Sequence, residues 1–134
     1  DSLFSVSFAF RPAEGSFDQT EAMRFALGHQ NPLVAGRVSG NRDAALPDTR
    51  FSLFSTSDPD VLLWSMKPGE EGGTVFRFWN MKETAHAGFT LDRSPGSVRS
   101  ATHVETVTGP VELQGERFEE EFRQQQMRTF RIDW

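Results

Sequence analysis

Two carboxylate pairs are the residues of this chain whose types and spacing best suit acid–base chemistry. Asp58 and Asp60 form one pair, and Glu70 and Glu71 form the other. A pair of carboxylates can in principle act as general acid and base in hydrolysis. Both pairs, however, fall in stretches with turn composition, where acidic side chains solvate the chain and favour turn geometry. We therefore predict no catalytic residue at either pair.

The other chemical motifs are also missing from the sequence. His29, His86 and His103 are dispersed, without the spacings that place two histidines on one metal ion, so each is predicted to be a surface or hydrogen-bonded histidine. Ser39-Gly40 lacks the preceding glycine of a nucleophile elbow, and no glycine-rich nucleotide loop occurs. The sequence predicts neither a metal site nor a cofactor site in this chain.

Composition limits the class of protein and its partners. The 134 residues suit a single domain, and the net charge of -5 disfavours binding to nucleic acid. No apolar run is long enough to span a bilayer, so no membrane contact is expected. The chain has no cysteine, so the redox compartment stays undetermined, and we predict a cytoplasmic location. It lacks an initiator Met and a leader-like start, which predicts that it is part of a longer polypeptide.

The first third of the chain is predicted to hold one strand, one helix and one further short strand. Apolar residues alternate over positions 3–10, the period expected of a strand with one buried face. Good helix formers occupy residues 21–27, with a capping box at Ser16 and Gln19 and a C-cap at Gly28. Residues 33–38 form a short strand candidate, and a loop follows over residues 39–49.

The remainder is predicted to be a series of short strands. The strand candidates are residues 51–55, 61–66, 76–79, 84–91, 97–104, 111–113 and 129–132. Residues 61–66 are nearly all apolar, as in a central strand covered on both faces, and residues 68–73 form the turn after it. Residues 116–127 fit either a helix or a strand. The fold class predicted is mainly β, an antiparallel β-sandwich with one short α-helix near the N-terminus.

The order of motifs resembles the C-terminal β-sandwich region of glycoside hydrolase family 38, the α-mannosidases. The resemblance covers almost the whole chain, and order and spacing carry it. Its parts are Phe8-Ala9-Phe10, Pro12, Gly15, Phe17, the helix, Asn31-Pro32-Leu33, Phe51-Ser52-Leu53, the long hairpin with Lys67, Gly72, Arg77 and Asn80, and the closing Met127-Arg128-Thr129-Phe130-Arg131-Ile132. The family commonly has Tyr in the first strand and His after its Pro, whereas this chain has Phe8 or Phe10 and then Ala13.

The resemblance implies that residues 1–134 form a single C-terminal accessory domain of a larger glycosidase. In the family, an N-terminal α/β domain contains the carboxylate nucleophile and the ligands of zinc or another divalent cation. The resemblance therefore carries no catalytic residue over to this chain. The implied partners are the catalytic domain of the same polypeptide and, through it, α-mannosides. The alternative is an independent carbohydrate-binding or protein-interaction β-sandwich module, which needs a row of exposed aromatic rings.

Arg77 and Trp79 are the candidate interdomain contact. They alternate with Phe76 and Phe78, so if the two phenylalanines face the core, Arg77 and Trp79 face outward. Arg77 is then either a solvated residue or one that pairs with a carboxylate of the catalytic domain. Trp79 and Trp64 are either exposed or part of the core. An exposed patch around Trp79 would also favour self-association of the chain.

Overall fold

The computed structural model describes residues 5–37 and 50–134. The chain separates into two compact units, Asp1–Gly36 and Arg37–Trp134. Phe4, Val38, the predicted loop at residues 39–49 and Ser39-Gly40 lie outside the described residues. No helix among the described residues has the length and apolar character that a membrane span requires.

The first unit contains the predicted helix, with different ends. Helix α1 spans Gln19–Gln30, and Asp18 caps it by accepting a hydrogen bond from the Glu21 amide at 3.0 Å. The predicted capping box at Ser16 and Gln19 is therefore wrong, because Asp18 satisfies the free amide of the first turn. The predicted C-cap at Gly28 is also wrong, since the helix continues through it to Gln30 and Asn31 is the C-cap.

The two strands predicted in the first unit are absent from its described residues. Residues 5–10 and 33–37 carry no strand, and the side chains of Val6, Phe8 and Phe10 are exposed. Alternation indicates a strand only where another strand completes its hydrogen bonds, and neither segment has such a neighbour among the described residues. The sequence pattern is strand-like, but the local structure is not.

The second unit confirms the predicted antiparallel fold, with two sheets and a shared core. The three-stranded sheet has the order β1-β4-β7, and the five-stranded sheet has the order β2-β3-β8-β5-β6. The strands are β1 Phe54–Thr56, β2 Val61–Pro68, β3 Thr74–Asn80, β4 Ala85–Leu91, β5 Ser97–Ala101, β6 Val107–Pro110, β7 Arg117–Phe122 and β8 Met127–Asp133. All paired strands are antiparallel.

Phenylalanines from both sheets make the core. Phe78 of the five-stranded sheet lies 4.6 Å from Phe89 of the three-stranded sheet, measured between ring centroids. Phe118 stacks on Phe89 at 4.8 Å, and both are buried. The prediction that Phe76 and Phe78 line one core is confirmed. The prediction that Phe8 joins them is wrong, because its side chain is 76% exposed.

The hairpin of β2 and β3 forms as predicted, with its turn between Pro68 and Thr74. Strand β2 nevertheless lies at the edge of the five-stranded sheet, so the prediction of a central strand covered on both faces is wrong. A register shift between Leu63 and Ser65 marks a β-bulge. Trp64 lies within it and is 39% exposed. A bulge changes the direction of side chains, which is why an apolar run does not become a buried strand here.

The C-terminal region resolves the remaining predictions. The ambiguous residues 116–127 are a strand and a turn, because β7 places Phe118 and Phe122 on the buried side. The strand predicted at residues 111–113 is wrong; its place is taken by β6, Val107–Pro110. Strand β5 ends at Ala101, and the following residues form the β5–β6 loop.

Candidate functional site

The face of the five-stranded sheet that points away from the core is the candidate functional site, and we call it the outer face. Strand β3 defines it, since Phe76 and Phe78 are buried in the core while Arg77 and Trp79 lie half-buried on the opposite side. The predicted division of β3 into two faces is therefore confirmed. Neighbouring strands add Arg131 opposite Val75, and Arg99 opposite Arg131.

Arg77 binds the β5–β6 loop of its own chain. Its Nη2 atom donates to the His103 carbonyl at 2.6 Å and to Glu105 Oε1 at 2.9 Å. Lys67 Nζ lies 2.7 Å from the same carboxylate oxygen. Glu105 has a φ of 69°, a left-handed conformation that is costly outside glycine. The two cations hold this loop over the outer face, and Arg77 therefore pairs with a carboxylate of its own chain.

Arg131 and Arg99 form a second ion-pair group on the outer face. Arg131 is 8% exposed, and its Nη1 lies 2.9 Å from Glu71 Oε2, while its Nη2 donates to the Glu71 carbonyl. Arg99 and Ser97 both donate to Asp133. The hydrogen bond from Arg99 lowers the pKa of the Asp133 carboxyl, burial acts in the opposite direction, and Ser97 adds to the lowering.

Three arginines of the outer face share one unusual feature. The Nε atoms of Arg77, Arg99 and Arg131 are buried and have no hydrogen-bond partner in the part of the chain that the structure describes. A buried donor without a partner costs free energy. The ion pairs of the terminal nitrogens and the packing of the side chains offset this cost. Guanidinium groups lie on three neighbouring strands, and their terminal nitrogens bind Glu71, Glu105 and Asp133.

A cleft of about 370 Å³ lies on the outer face between the β2–β3 turn and the β5–β6 loop. Glu70 and Glu71 line one side, and Glu105 lines the other. Val75 and Arg131 also contribute to its wall. The cleft offers carboxylates, one guanidinium and aliphatic surface, which suits contact with a polar group of another molecule.

Trp79 forms an aromatic pair with Trp64. Their ring centroids are 5.2 Å apart, and the planes cross at 84°. Trp79 Nε1 donates to the Gln125 carbonyl at 3.1 Å, so the polar edge of the ring is satisfied within the chain. Met127 pairs with Trp79 in register and is 39% exposed. The pair is neither core nor fully solvated, and perpendicular rings do not form the flat row on which sugars stack.

The four hairpin positions of the family resemblance have visible structural roles. Lys67 and Arg77 share the Glu105 carboxylate, and Gly72 has a φ of 92°, which favours glycine. Asn80 is fully buried, and its Nδ2 donates to the Glu83 carbonyl and to the Arg123 carbonyl, the latter at 3.0 Å. It thereby joins the β3–β4 connection to the β7–β8 connection.

The other candidate residues lie apart from the outer face or act within turns. Asp58 Oδ1 accepts from the Asp60 amide at 2.8 Å, and Lys82 lies 3.2 Å from Asp60, as expected for a turn. His86 lies on the three-stranded sheet, 3.0 Å from Glu119, and this hydrogen bond lowers the pKa of the Glu119 carboxyl. Among the described residues, no group of three or more His, Asp or Glu side chains is placed to hold a metal ion.

Sequence reasoning missed Glu105, Arg99 and Arg131 as members of the outer face. Arg131 carries the same signal as Arg77, because it alternates with Phe130 and Ile132 in its strand. Glu105 carries no such signal, since its contact with Arg77 depends on a loop 28 residues away in sequence.

Comparisons of this chain with protein-family models, with curated proteins and with solved structures find no match.

Proposed function

We propose that this chain is a non-catalytic β-sandwich domain of an α-mannosidase-like glycoside hydrolase, which supports a separate catalytic domain through the outer face. The observation that carries the proposal is that each of the four hairpin positions has a structural role in the folded chain. Gly72 allows the tight turn of the hairpin, and Lys67 with Arg77 holds the β5–β6 loop through Glu105. Asn80 joins the β3–β4 and β7–β8 connections. These are supporting roles, and they prepare a fixed surface for a neighbouring domain.

The chemistry of that surface suits an interface within a polypeptide. The Trp64–Trp79 pair provides apolar contact area at one end, and the ion pairs around Arg77 and Arg131 provide a polar rim. Aromatic rings and arginine are the side chains that contribute most to protein contacts. The metal implied by the family resemblance is assigned to the catalytic domain, and hydrolysis of α-mannosidic bonds is assigned there with it.

The experiment that tests the docking role uses the catalytic domain of the same polypeptide, produced separately. Isothermal titration should show binding to this chain, and both Trp64→Ala and Arg77→Ala should weaken it by about tenfold or more, as for residues central to an interface. His86→Ala is the matched control, because His86 is an exposed residue on the outward side of the other sheet. Equal affinity in all variants, or no binding at all, would refute the docking role.

The non-catalytic part of the proposal has its own test. The purified chain should release no aryl alcohol from an aryl α-mannoside, with or without added zinc. Turnover that rises with zinc and persists through repeated purification would contradict it.

The alternative is an independent carbohydrate-binding or protein-interaction module, and one observation favours it. Trp64 is 39% exposed at an edge strand and lies near enough to Trp79 to form one end of a binding surface. A single ring can stack on one sugar face. Saturable binding of mannose oligosaccharides to this chain alone, lost in Trp64→Ala, would select this alternative.

A further inference from the structure

Strand β7 places a carboxylate on the side that faces the core. Phe118 and Phe122 of β7 are buried in the core, and Glu120 lies two residues from each, so it shares their side of the strand. Arg128 has the same relation to the buried Phe130 in β8. A carboxylate and a guanidinium therefore lie on the inward sides of the two sheets, next to phenylalanine rings.

These two side chains form an ion pair that joins the three-stranded sheet to the five-stranded sheet. Arg128 Nη1 lies 2.6 Å from Glu120 Oε2, and the two side chains are 26% and 17% exposed. Arg128 Nη1 also donates to the Glu121 carbonyl at 2.8 Å. The guanidinium carbon lies 5.7 Å from the centre of the Phe130 ring and 6.0 Å from that of Phe122. The ion pairs of the outer face, in contrast, connect parts of the five-stranded sheet and its loops.

An ion pair is a costly way to join two sheets. Moving a carboxylate and a guanidinium out of water removes their hydration, and well-packed apolar side chains of similar volume often stabilise a protein interior at least as much. The core cluster beside the pair consists of apolar side chains, with Phe118, Phe122 and Phe130 among them. The ion pair differs from an apolar contact in one respect, which is that protonation of its carboxylate abolishes it.

The surroundings of Glu120 favour its protonated form. Burial raises the pKa of the Glu120 carboxyl above the ordinary value of 4.5, and it outweighs the lowering by the charge of Arg128 and by the backbone of Glu121. The carboxylate of Glu121 adds to the rise. Ala87 of β4, which lies opposite Glu120 in register, brings no charge. Glu120 is therefore protonated at a higher pH than an ordinary glutamate.

We propose that Glu120 and Arg128 form a pH-sensitive latch between the two sheets, which is closed when Glu120 is ionised and released when Glu120 is protonated. Protonation removes the charge that holds Arg128, and a partly buried guanidinium without a counter-charge is costly. Arg128 lines a cleft of about 470 Å³ beside the β7–β8 connection, together with Arg123 and Thr129. The cleft gives the released guanidinium room to turn toward solvent.

Release of the latch should not unfold the chain. Because the pKa of Glu120 is higher in the folded chain than in the unfolded chain, the folded chain binds this proton more readily. Glu120 thus contributes stability that is present below pH 4.5 and is lost as the pH rises through its higher folded pKa. The change on acidification is therefore a local movement of Arg128 within a folded sandwich.

Titration of the isotope-labelled full chain, followed by nuclear magnetic resonance, tests the latch. The Glu120 carboxyl carbon should titrate with a midpoint above 4.5, and the Arg128 Nε resonance should move with the same midpoint. Relaxation of that nitrogen should show a more mobile side chain at the acid end. In Glu120→Gln, which is neutral at every pH, Arg128 should be mobile throughout. An Arg128 side chain that is equally ordered at both ends of the titration would overturn the proposal.

Glu112→Gln is the matched control, because Glu112 is an exposed glutamate outside the strands. It removes the same charge from the chain and should leave the titration of Glu120 and Arg128 unchanged. If Glu112→Gln mobilised Arg128 as Glu120→Gln does, Arg128 would be responding to the overall charge of the chain, and the latch would be refuted.

Arg128→Met tests the coupling from the other side of the pair. It removes the charge that favours the ionised carboxylate, so the titration midpoint of Glu120 should rise by about one pH unit or more. An unchanged midpoint would show that the two side chains form no pair in solution.

The double variant Glu120→Leu with Arg128→Met tests whether the sheets need the charges to stay together. At about pH 7 its thermal midpoint should be at least as high as that of Arg128→Met alone, since it leaves no unpaired carboxylate between the sheets. A lower midpoint would show that the pair serves stability rather than release, and would overturn the proposal.

Discussion

At the residue scale, phenylalanine fills the core of the second unit and arginine lies on its outer face. Phenylalanine has no polar atom to satisfy, so rings from both sheets fill a dry core in which Phe78 contacts Phe54, Phe89 and Phe130. Arginine on the outer face keeps its terminal nitrogens in ion pairs while its carbon stem covers the sheet. Each residue type suits the side of the sheet on which it lies.

Replacement of Phe78 by alanine should destabilise the chain by about 3 to 5 kcal/mol, since it leaves a cavity among rings that cannot close fully around it. Chemical denaturation followed by fluorescence measures the free energy of unfolding. Phe8→Ala is the control and should change it by less than about 0.5 kcal/mol, because Phe8 is exposed. Equal losses in the two variants would place Phe78 outside the core.

The Asp133 carboxyl should make stability depend on pH. The hydrogen bond from Arg99 lowers its pKa below the ordinary value of 3.8, against the opposing effect of burial. The folded chain therefore binds this proton less readily than the unfolded chain does, and Asp133 contributes stability above pH 3.8 that is lost as the pH falls through the lower folded pKa.

The difference in unfolding free energy between the unaltered chain and Asp133→Asn should therefore shrink between about pH 6 and about pH 2. Arg99→Met removes the hydrogen bond, so in that background the same Asp133→Asn comparison should depend much less on pH. A constant difference in the unaltered background would show that Asp133 titrates alike in the folded and unfolded chain.

At the element scale, the sequence predicts a strand correctly where apolar residues alternate and paired strands lie on both sides of it. Strand β3 alternates, and both β2 and β8 pair with it, so its two faces follow from the period of two. Residues 5–10 alternate equally well, yet form no strand in the described chain, because periodicity cannot reveal whether a partner strand exists. Trp64 shows the same limit, since the β-bulge that turns it toward Trp79 leaves no mark in the sequence.

Only part of the candidate site could be predicted from the sequence. Arg77 and Trp79 were found because one strand is enough to place them on a face. Glu105, which holds Arg77 and Lys67, was not found because its position depends on a loop conformation with positive φ. Contacts that join distant segments depend on the complete fold, whereas the faces of a strand depend on local sequence.

The β2–β3 turn should not tolerate a side chain at Gly73. Its φ is 69°, and an added Cβ would lie 2.5 Å from Asp133 Oδ1 and 2.8 Å from the Ile132 carbonyl. Gly73→Ala should cost at least about 1 to 2 kcal/mol of stability from the left-handed backbone alone. Thermal or chemical denaturation will measure the loss.

Gly109→Ala provides the comparison for this turn. Gly109 lies in β6, has open space where its Cβ would be, and has no positive φ. The Gly109→Ala substitution should leave the free energy of unfolding nearly unchanged. A Gly73→Ala variant as stable as Gly109→Ala would contradict the turn geometry.

At the scale of the whole molecule, the outer face is the surface on which the proposed supporting role depends. The outer face combines an aromatic pair with fixed ion pairs, which suits a specific neighbour.

The most direct test of the docking role is the acrylamide quenching of tryptophan in the Trp134→Phe variant. Only Trp64 and Trp79 then emit, since the chain has 3 tryptophans. In the free chain the exposed Trp64 should be readily quenched. Addition of the catalytic domain of the same polypeptide, with its own tryptophans replaced by phenylalanine, should lower the quenching constant as the aromatic pair becomes covered. An unchanged quenching constant in a complex that demonstrably forms would contradict the claim that the outer face is the docking surface.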